Sequence, residues 1–291
     1  PLTPDHIVYS KSFALSSSSP DKTGIAKFAK ANGYKPLVVE LPSKAVFCAG
    51  ESLKDSMTCL SLAKDAALVE QIAEGFGGVN YLSKPQRSFI ENWEVESYRK
   101  KVGAGSGGSL RNKIVVITGA AQGFGLGIAE SLAEAGATVA VCDINMKGAE
   151  KAAASICALT GRDYAAFAVS VDVSDESSVE KMADDIVGIC GGMDVFIANA
   201  GVLKAGPLKN FEKKDWDFVT AVNYSGYFLC AKRDAIVMSA QNAEGGRWSD
   251  IIQINSKSGL VGSSRNAAYS GGKFGGIGLT QSFALELIED K

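Results

Sequence analysis

From about residue 111 onward, short aliphatic runs alternate with longer amphipathic stretches. Ile114–Ile117, Thr138–Cys142, Ala165–Val171, Asp194–Ala198 and Ile251–Ile254 predict five strands. None alternates apolar with polar as a strand with one wet face would. Both faces of each strand are then buried, as in a parallel sheet covered by helices on either side. The stretches between the strands are long enough for those helices. Repeated strand–helix units predict a doubly wound α/β fold with its site at the carboxyl ends of the strands.

The first hundred residues follow a different pattern. Pro1-Leu-Thr-Pro4 and the serine run 16–19 are loop signals. Thr23 to Gly33 predicts a short helix with Ile25, Phe28 and Ala29 on one face and Gly33 as its stop. Leu37–Val39 and Ala45–Cys48 predict strands around Pro42, and Glu51–Gly75 a long helix with Leu53, Met57 and Leu60 on one stripe. Ser83-Lys-Pro-Gln86 reads as a capping box opening another helix. Phe89, Ile90 and Trp93 are its apolar face, and Arg99-Lys-Lys101 a solvated end. Gly103-Ala-Gly-Ser-Gly-Gly-Ser109 reads as a flexible joint. The expected organisation is a small α/β region at 1–102, a linker at 103–110 and the doubly wound domain at 111–291.

Composition narrows the chemistry. Thirty Lys and Arg against 32 Asp and Glu give a net charge of −2, without the basic excess of a nucleic-acid binder or of a protein drawn to anionic membranes. No apolar run approaches the ~18 residues of a membrane span. A single histidine, His6, rules out a zinc site built on several histidines within this chain. His6 itself reads as a loop or surface residue. The six cysteines contain no CxxC pair and several sit in apolar runs. They read as free thiols in a reducing, cytoplasmic setting. No metal site is predicted.

The first strand of the second region runs straight into Thr118-Gly119-Ala-Ala-Gln122-Gly123-Phe124-Gly125. Glycines there let the backbone turn sharply and approach a pyrophosphate, and the helix Phe124–Ala135 offers free N–H groups to it. Strand, glycines and helix stand in the order of a Rossmann-like dinucleotide site. The second strand ends at Asp143, 18 residues after Gly125, near the ~20 expected for a carboxylate that accepts hydrogen bonds from a ribose diol. Ile144 follows it and Gln122 lies in the glycine loop, so neither place offers a cation to a 2′-phosphate. NAD is therefore expected over NADP, although Lys147 lies close by. Asp143 could also cap the following helix.

Together with further motifs, this region closely resembles the short-chain dehydrogenase/reductase family. The glycine loop matches its Thr-Gly-x-x-x-Gly-x-Gly motif. Asp172-Val173 resembles its adenine-contacting pair, and Asn199-Ala200-Gly201 its Asn-Ala-Gly turn. Asn223, Ser256, Tyr269 and Lys273 match its catalytic set, with the Tyr-x-x-x-Lys spacing intact. The resemblance implies hydride transfer between an alcohol, aldehyde or sugar-type substrate and nicotinamide. A phenol ordinarily titrates near ~10 and is a poor proton partner at neutrality unless a cation stands beside it. Residues four apart share a helix face, which puts Lys273 in that place beside Tyr269. Lys273 would also reach the nicotinamide ribose, Ser256 would hold the substrate oxygen, and Asn223 would relay protons through water. Ala198 and Asn255 depart from the family pattern. The helix of Tyr269 holds five glycines at 271, 272, 275, 276 and 278, each costing ~1 kcal/mol against alanine. Close approach of cofactor on one side and of a partner helix on the other is the expected reason, since relatives pair this helix across a subunit interface as dimers or tetramers.

Members of that family continue with further strands past the point reached at Lys291, which suggests a piece of a longer protein. The first region adds to that expectation. Leu2–Tyr9, Ala45–Glu51 and Phe89–Tyr98 resemble the tail of the aldolase half of bifunctional aldolase/short-chain dehydrogenases of the rhamnulose-1-phosphate aldolase/lactaldehyde dehydrogenase type. With His6 alone, this stretch holds no zinc site of its own. A module that holds NAD without turnover is the alternative reading.

Overall fold

The computed structural model describes residues 1–93, 108–245 and 247–290, and the chain divides into two compact units, Pro1–Ser106 and Gly107–Lys291. The basic cluster 99–101 and most of the Gly/Ser run 103–109 lie outside the described residues. The first unit holds a three-stranded sheet of β1 (Leu15–Ser16), β2 (Val38–Leu41) and β3 (Ala45–Cys48), in that order. Its helices are α1 (Pro4–Ser10), α2 (Lys22–Asn32), α3 (Leu53–Ala73) and α4 (Lys84–Glu91). Caps set their limits. Asp21 accepts a bond from Gly24 N at 2.7 Å to open α2, and Gly33 closes it at φ 79°. Gln86 accepts from Ser83 N at 2.8 Å at the start of α4.

Two features of this unit correct the expectation. The opening residues are not all loop, because Thr3 accepts from His6 N and Pro4 stands in the first turn of α1. That helix carries His6 inward, only 5% exposed, with Nε2 3.9 Å from Asp65 Oδ2. A seven-residue helix shows too few turns for its period to register in sequence. The apolar face of α4 is also less covered than its pattern suggests: Phe89 and Trp93 stack with centroids 5.8 Å apart while staying exposed.

In the second unit β4 (Ile114–Thr118), β5 (Thr138–Asp143), β6 (Ala166–Ser170), β7 (Val195–Ala198) and β8 (Asp250–Gln253) form a fully parallel sheet. The order is β6-β5-β4-β7-β8, so the winding reverses between β4 and β7. In such sheets that reversal opens the ligand crevice at the carboxyl ends. The helices are α5 (Gly123–Glu134), α6 (Met146–Thr160), α7 (Glu176–Cys190), α8 (Lys213–Thr220), α9 (Gly226–Gly245) and α10 (Ala267–Glu286).

Alternate residues of each strand feed opposite layers. Val115, Ile117, Val139 and Val141 pack with Ala129 and Ala133 of α5 and with Ala149 and Ile156 of α6. Val116, Ala140, Cys142 and Phe196 pack with Val179, Met182 and Ile186 of α7 and with Ala231 of α9. Each fully buried aliphatic side chain contributes ~1.5–3 kcal/mol, so the sheet is a rigid base for the loops at its edge. Asp194 binds it further, accepting from Lys113 Nζ at 3.0 Å and from Ile114 N at 2.9 Å. Among the described residues, no helix is long and apolar enough to cross a membrane.

Candidate active site

The turn after β4 is built for close approach. Gly119 has φ 66°, and a Cβ there would stand 2.8 Å from Ala200 Cα. A Cβ on Gly125 would stand 2.4 Å from Gly119 O and 2.5 Å from Asn199 Nδ2. Gly123 has φ 62° with open space around it. These are conformations that glycine alone adopts without strain. Asn199 pins the turn to the end of β7 by donating from Nδ2 to Thr118 O and Gly119 O, both at 3.0 Å. Thr118 Oγ1 in turn accepts from Asn199 N and Ala200 N, each at 3.2 Å. Gln122 stands at the N-terminus of α5, exposed, and Phe124 beside it is 85% exposed.

Asp143 ends β5 half-buried, accepting from Ala121 N at 3.0 Å and from Asn145 N at 2.9 Å. Each carboxylate oxygen keeps a further lone pair for a diol. Asp143 does not cap α6, because Asn145 does so by accepting from Gly148 N at 3.1 Å. Ile144 is exposed. Asp172 accepts from Ser174 N at 2.9 Å, which shapes the turn after β6. Val173 is buried against Gly226, where a Cβ would come within 3.0 Å of it. Glycines whose Cβ positions are already filled, a carboxylate with spare acceptors and two exposed apolar side chains on one rim fit a dinucleotide. Among the described residues, no group of three His, Cys, Asp or Glu could hold a metal ion.

The four residues expected to do chemistry sit on the turn that precedes α9, on α10 and just past the end of β8. Lys273 is 5% exposed, and its Nζ donates to Ile254 O at 2.6 Å. Burial pulls its pKa below the ordinary lysine value. Its Nζ lies 5.8 Å from the centroid of the half-buried Tyr269 ring. Ser256 Oγ accepts from Ser258 N at 3.2 Å, which leaves its own hydrogen free to donate. Asn223 lies in a π-helical turn, Ala221–Ser225, between α8 and α9, a form common at functional positions. Its amide grips Val202 both ways: Oδ1 accepts from Val202 N and Nδ2 donates to Val202 O, each at 2.8 Å. Asn223 is therefore first a clamp on the segment after Gly201, with one N–H and one lone pair left over. Thr118, Asn223, Gln253 and Lys273 line a cavity of about 10 Å³, room for about one water.

Asn255 carries a role that its departure from the family pattern did not reveal. Its Oδ1 accepts from Ser256 N at 2.7 Å, and its Nδ2 donates to Lys273 O at 3.1 Å. Two glycines of α10 have a reason within the chain itself. A Cβ on Gly275 would stand 2.6 Å from the Tyr224 ring, and one on Gly276 would stand 2.2 Å from Gln253 Nε2. Gly272 faces Asn223 at 3.5 Å. Two of the five, Gly275 and Gly276, thus make room for the chain's own π-turn and for β8, while at Gly272 a Cβ would make an ordinary contact.

This geometry has known counterparts. A family profile described as short chain dehydrogenase matches residues 113–291. The chain belongs to the short-chain dehydrogenase family. Sorbitol-6-phosphate 2-dehydrogenase of Escherichia coli K12 is 40% identical over 178 residues, which cover 61% of this chain and 67% of that protein. D-threitol dehydrogenase of Mycolicibacterium smegmatis is 34% identical, over 61% of this chain and 65% of that protein. The crystal structure of sorbitol-6-phosphate 2-dehydrogenase from Erwinia amylovora superposes with a TM-score of 0.57 at 43% identity, over 61% of this chain and 67% of that one. The chain thus spans about two thirds of the length of each, and the match falls in the second unit.

Proposed function

We propose that the chain is the NAD-dependent dehydrogenase part of an enzyme that interconverts a polyol or sugar-type hydroxyl with its carbonyl. The observation that carries this reading is Lys273, buried and anchored to Ile254 O, with Tyr269 one helical turn away on the same face. The relatives named for sorbitol 6-phosphate and D-threitol favour a polyol.

The glycine turn at 119–125 and the N-terminus of α5 hold the pyrophosphate. Asp143 receives the adenosine ribose, with Ile144, Asp172 and Val173 about the adenine. Asn199, Ala200 and Gly201 shape the floor, and Lys273 reaches the nicotinamide ribose. Asp143 next to a 2′-phosphate would be a like-charge contact, which favours NAD over NADP. Bound NAD supplies the hydride acceptor. Tyr269 takes the proton of the carbinol as general base, and returns it as general acid in reduction. Lys273 stabilises the phenolate electrostatically, and Ser256 donates a hydrogen bond to the substrate oxygen. Asn223 positions the loop at Val202 and offers its remaining N–H to the water-sized cavity.

The same proposal places residues 1–102 as the C-terminal part of an aldolase-like domain in a bifunctional, cytoplasmic, oligomeric protein. The test is NAD reduction with a panel of polyols by the chain and by its Tyr269→Phe variant. Turnover that this variant reduces at least ~100-fold bears the reading out, matching the size of a lost general acid–base. NAD binding without turnover of any polyol or related alcohol would favour a non-catalytic NAD module.

A further inference from the structure

We propose that the substrate carries a phosphate ester remote from the oxidised carbinol, and that Lys204, Lys257 and Arg265 receive it. The inference rests on the dehydrogenase reading and names the substrate class within it. Two loops leave the carboxyl ends of β7 and β8, at residues 202–211 and 255–266. They hold Lys204, Lys209, Lys257 and Arg265 and not one Asp or Glu, in a chain whose net charge is −2. A surface of one sign draws anions to it, which favours an anionic substrate group.

The neighbouring helix α8 handles its charges differently, pairing Lys213 with Asp217 and Lys214 with Glu212. Lys204, Lys257 and Arg265 are exposed and have no ion pair among the described residues.

Along the chain these cations adjoin the residues proposed to handle the substrate rather than those proposed to hold the cofactor. Lys257 follows Ser256 directly, and Arg265 precedes Tyr269 by four residues. Asp143 and the glycine turn lie on β4 and β5, on the other side of the crevice. The two cationic loops are tied together by Gly206 N donating to Arg265 O at 2.8 Å. Arg265 holds φ 61°, a left-handed conformation unusual for a residue with a side chain. Its backbone is held in place while its guanidinium has no ion pair among the described residues, and a guanidinium can take a phosphate bidentately. A neutral polyol offers these groups hydrogen-bond acceptors but no counter-charge.

The test compares sorbitol 6-phosphate with sorbitol, by NAD-dependent kinetics and by calorimetric binding to the chain with NAD present. Arg265→Asn, chosen because asparagine tolerates φ > 0, and Lys204→Gln are measured alongside. The expected result is a kcat/KM at least ~10-fold higher for the phosphate ester, the scale of one hydrogen bond to a charged group. Each variant should raise KM for the ester ~10-fold while leaving kcat/KM for sorbitol unchanged, and inorganic phosphate should compete with the ester. Equal kcat/KM for the two substrates, or variants that weaken both alike, would overturn the proposal. If neither is oxidised, the polyol panel judges the dehydrogenase reading and binding decides this one: selective, variant-sensitive binding of the ester upholds the anion site, and its absence overturns it.

Discussion

Asn255 holds the backbone of Lys273, with Nδ2 donating to the Lys273 carbonyl at 3.1 Å. The same amide accepts from Ser256 N at 2.7 Å, so it fixes the spacing between the end of β8 and the middle of α10. Asn255→Ala should cost ~1–3 kcal/mol, because it strips partners from half-buried polar groups. It should lower kcat ~10-fold or more while KM for NAD changes little, since the glycine turn is untouched. Denaturant unfolding with steady-state kinetics checks both. Asn255→Asp keeps the acceptor for Ser256 N and loses the donor to Lys273 O, so it separates the two halves of the strap. Unchanged kcat in Asn255→Ala would mean that Ser256 and Lys273 are positioned independently.

Gly125 tolerates no side chain. A Cβ there would meet Gly119 O at 2.4 Å, a backbone atom that cannot swing aside, and Asn199 Nδ2 at 2.5 Å. Gly125→Ala should destabilise the second unit by ~1–3 kcal/mol, the usual cost of overpacking, and abolish measurable NAD binding by deforming the turn. Gly127, where a Cβ meets nothing within 4 Å, is the control: Gly127→Ala should leave binding intact and stabilise α5 slightly. Calorimetry on the two variants distinguishes a local clash from a general effect of alanine in this helix.

The strands of the second unit were legible to within about a residue because strands buried on both faces, as β4 and β5 are, read as uninterrupted aliphatic runs; β8, at the sheet edge, departs from the expected double burial, with Ile252 43% exposed. The glycine turn was legible because strand, glycines and helix come in sequence order. What escaped depends on contacts between distant segments. The burial of His6 needs Asp65 and the packing of α1 on α3. The strap through Asn255 needs Lys273, 18 residues on. The crowding of Gly275 and Gly276 needs Tyr224 and Gln253 to arrive from other elements. None of these leaves a period or a short motif along the chain.

Asp143 has two tasks that one substitution would confuse. It holds Ala121 N in the glycine turn at 3.0 Å, and it is the group proposed to receive the ribose diol. Asp143→Ala should weaken NAD binding through both. Asp143→Asn can keep the acceptor for Ala121 N, giving up the bond from Asn145 N, and removes the charge. It should therefore retain the fold and narrow the preference for NAD over NADP ~10-fold or more. Calorimetric titration of both cofactors into both variants makes the comparison. An unaltered preference in Asp143→Asn would show that charge at this position does not select the cofactor.

Asp234 imposes a pH dependence on the fold itself. It lies on α9 with no exposed surface, four residues after Cys230, and neither carboxylate oxygen has a hydrogen-bond partner among the described residues. Burial pushes its pKa up from 3.8 to about 8, with Arg233 opposing the rise. Between those values the folded state keeps a proton that the unfolded chain has released. Stability therefore falls as pH rises from about 4 to about 8, and the loss is complete above 8. Asp234→Asn keeps the shape without the ionisation. It should be nearly neutral at pH ~4 and increasingly stabilising toward pH ~8, levelling off beyond that. Urea unfolding of both proteins across this range reads the difference directly. A difference that stays constant with pH would mean that the carboxylate is ionised in the fold and compensated by Arg233. In that case Asp234→Asn would destabilise at neutral pH, because it would remove an attraction to Arg233, whose guanidinium also pairs with Asp184.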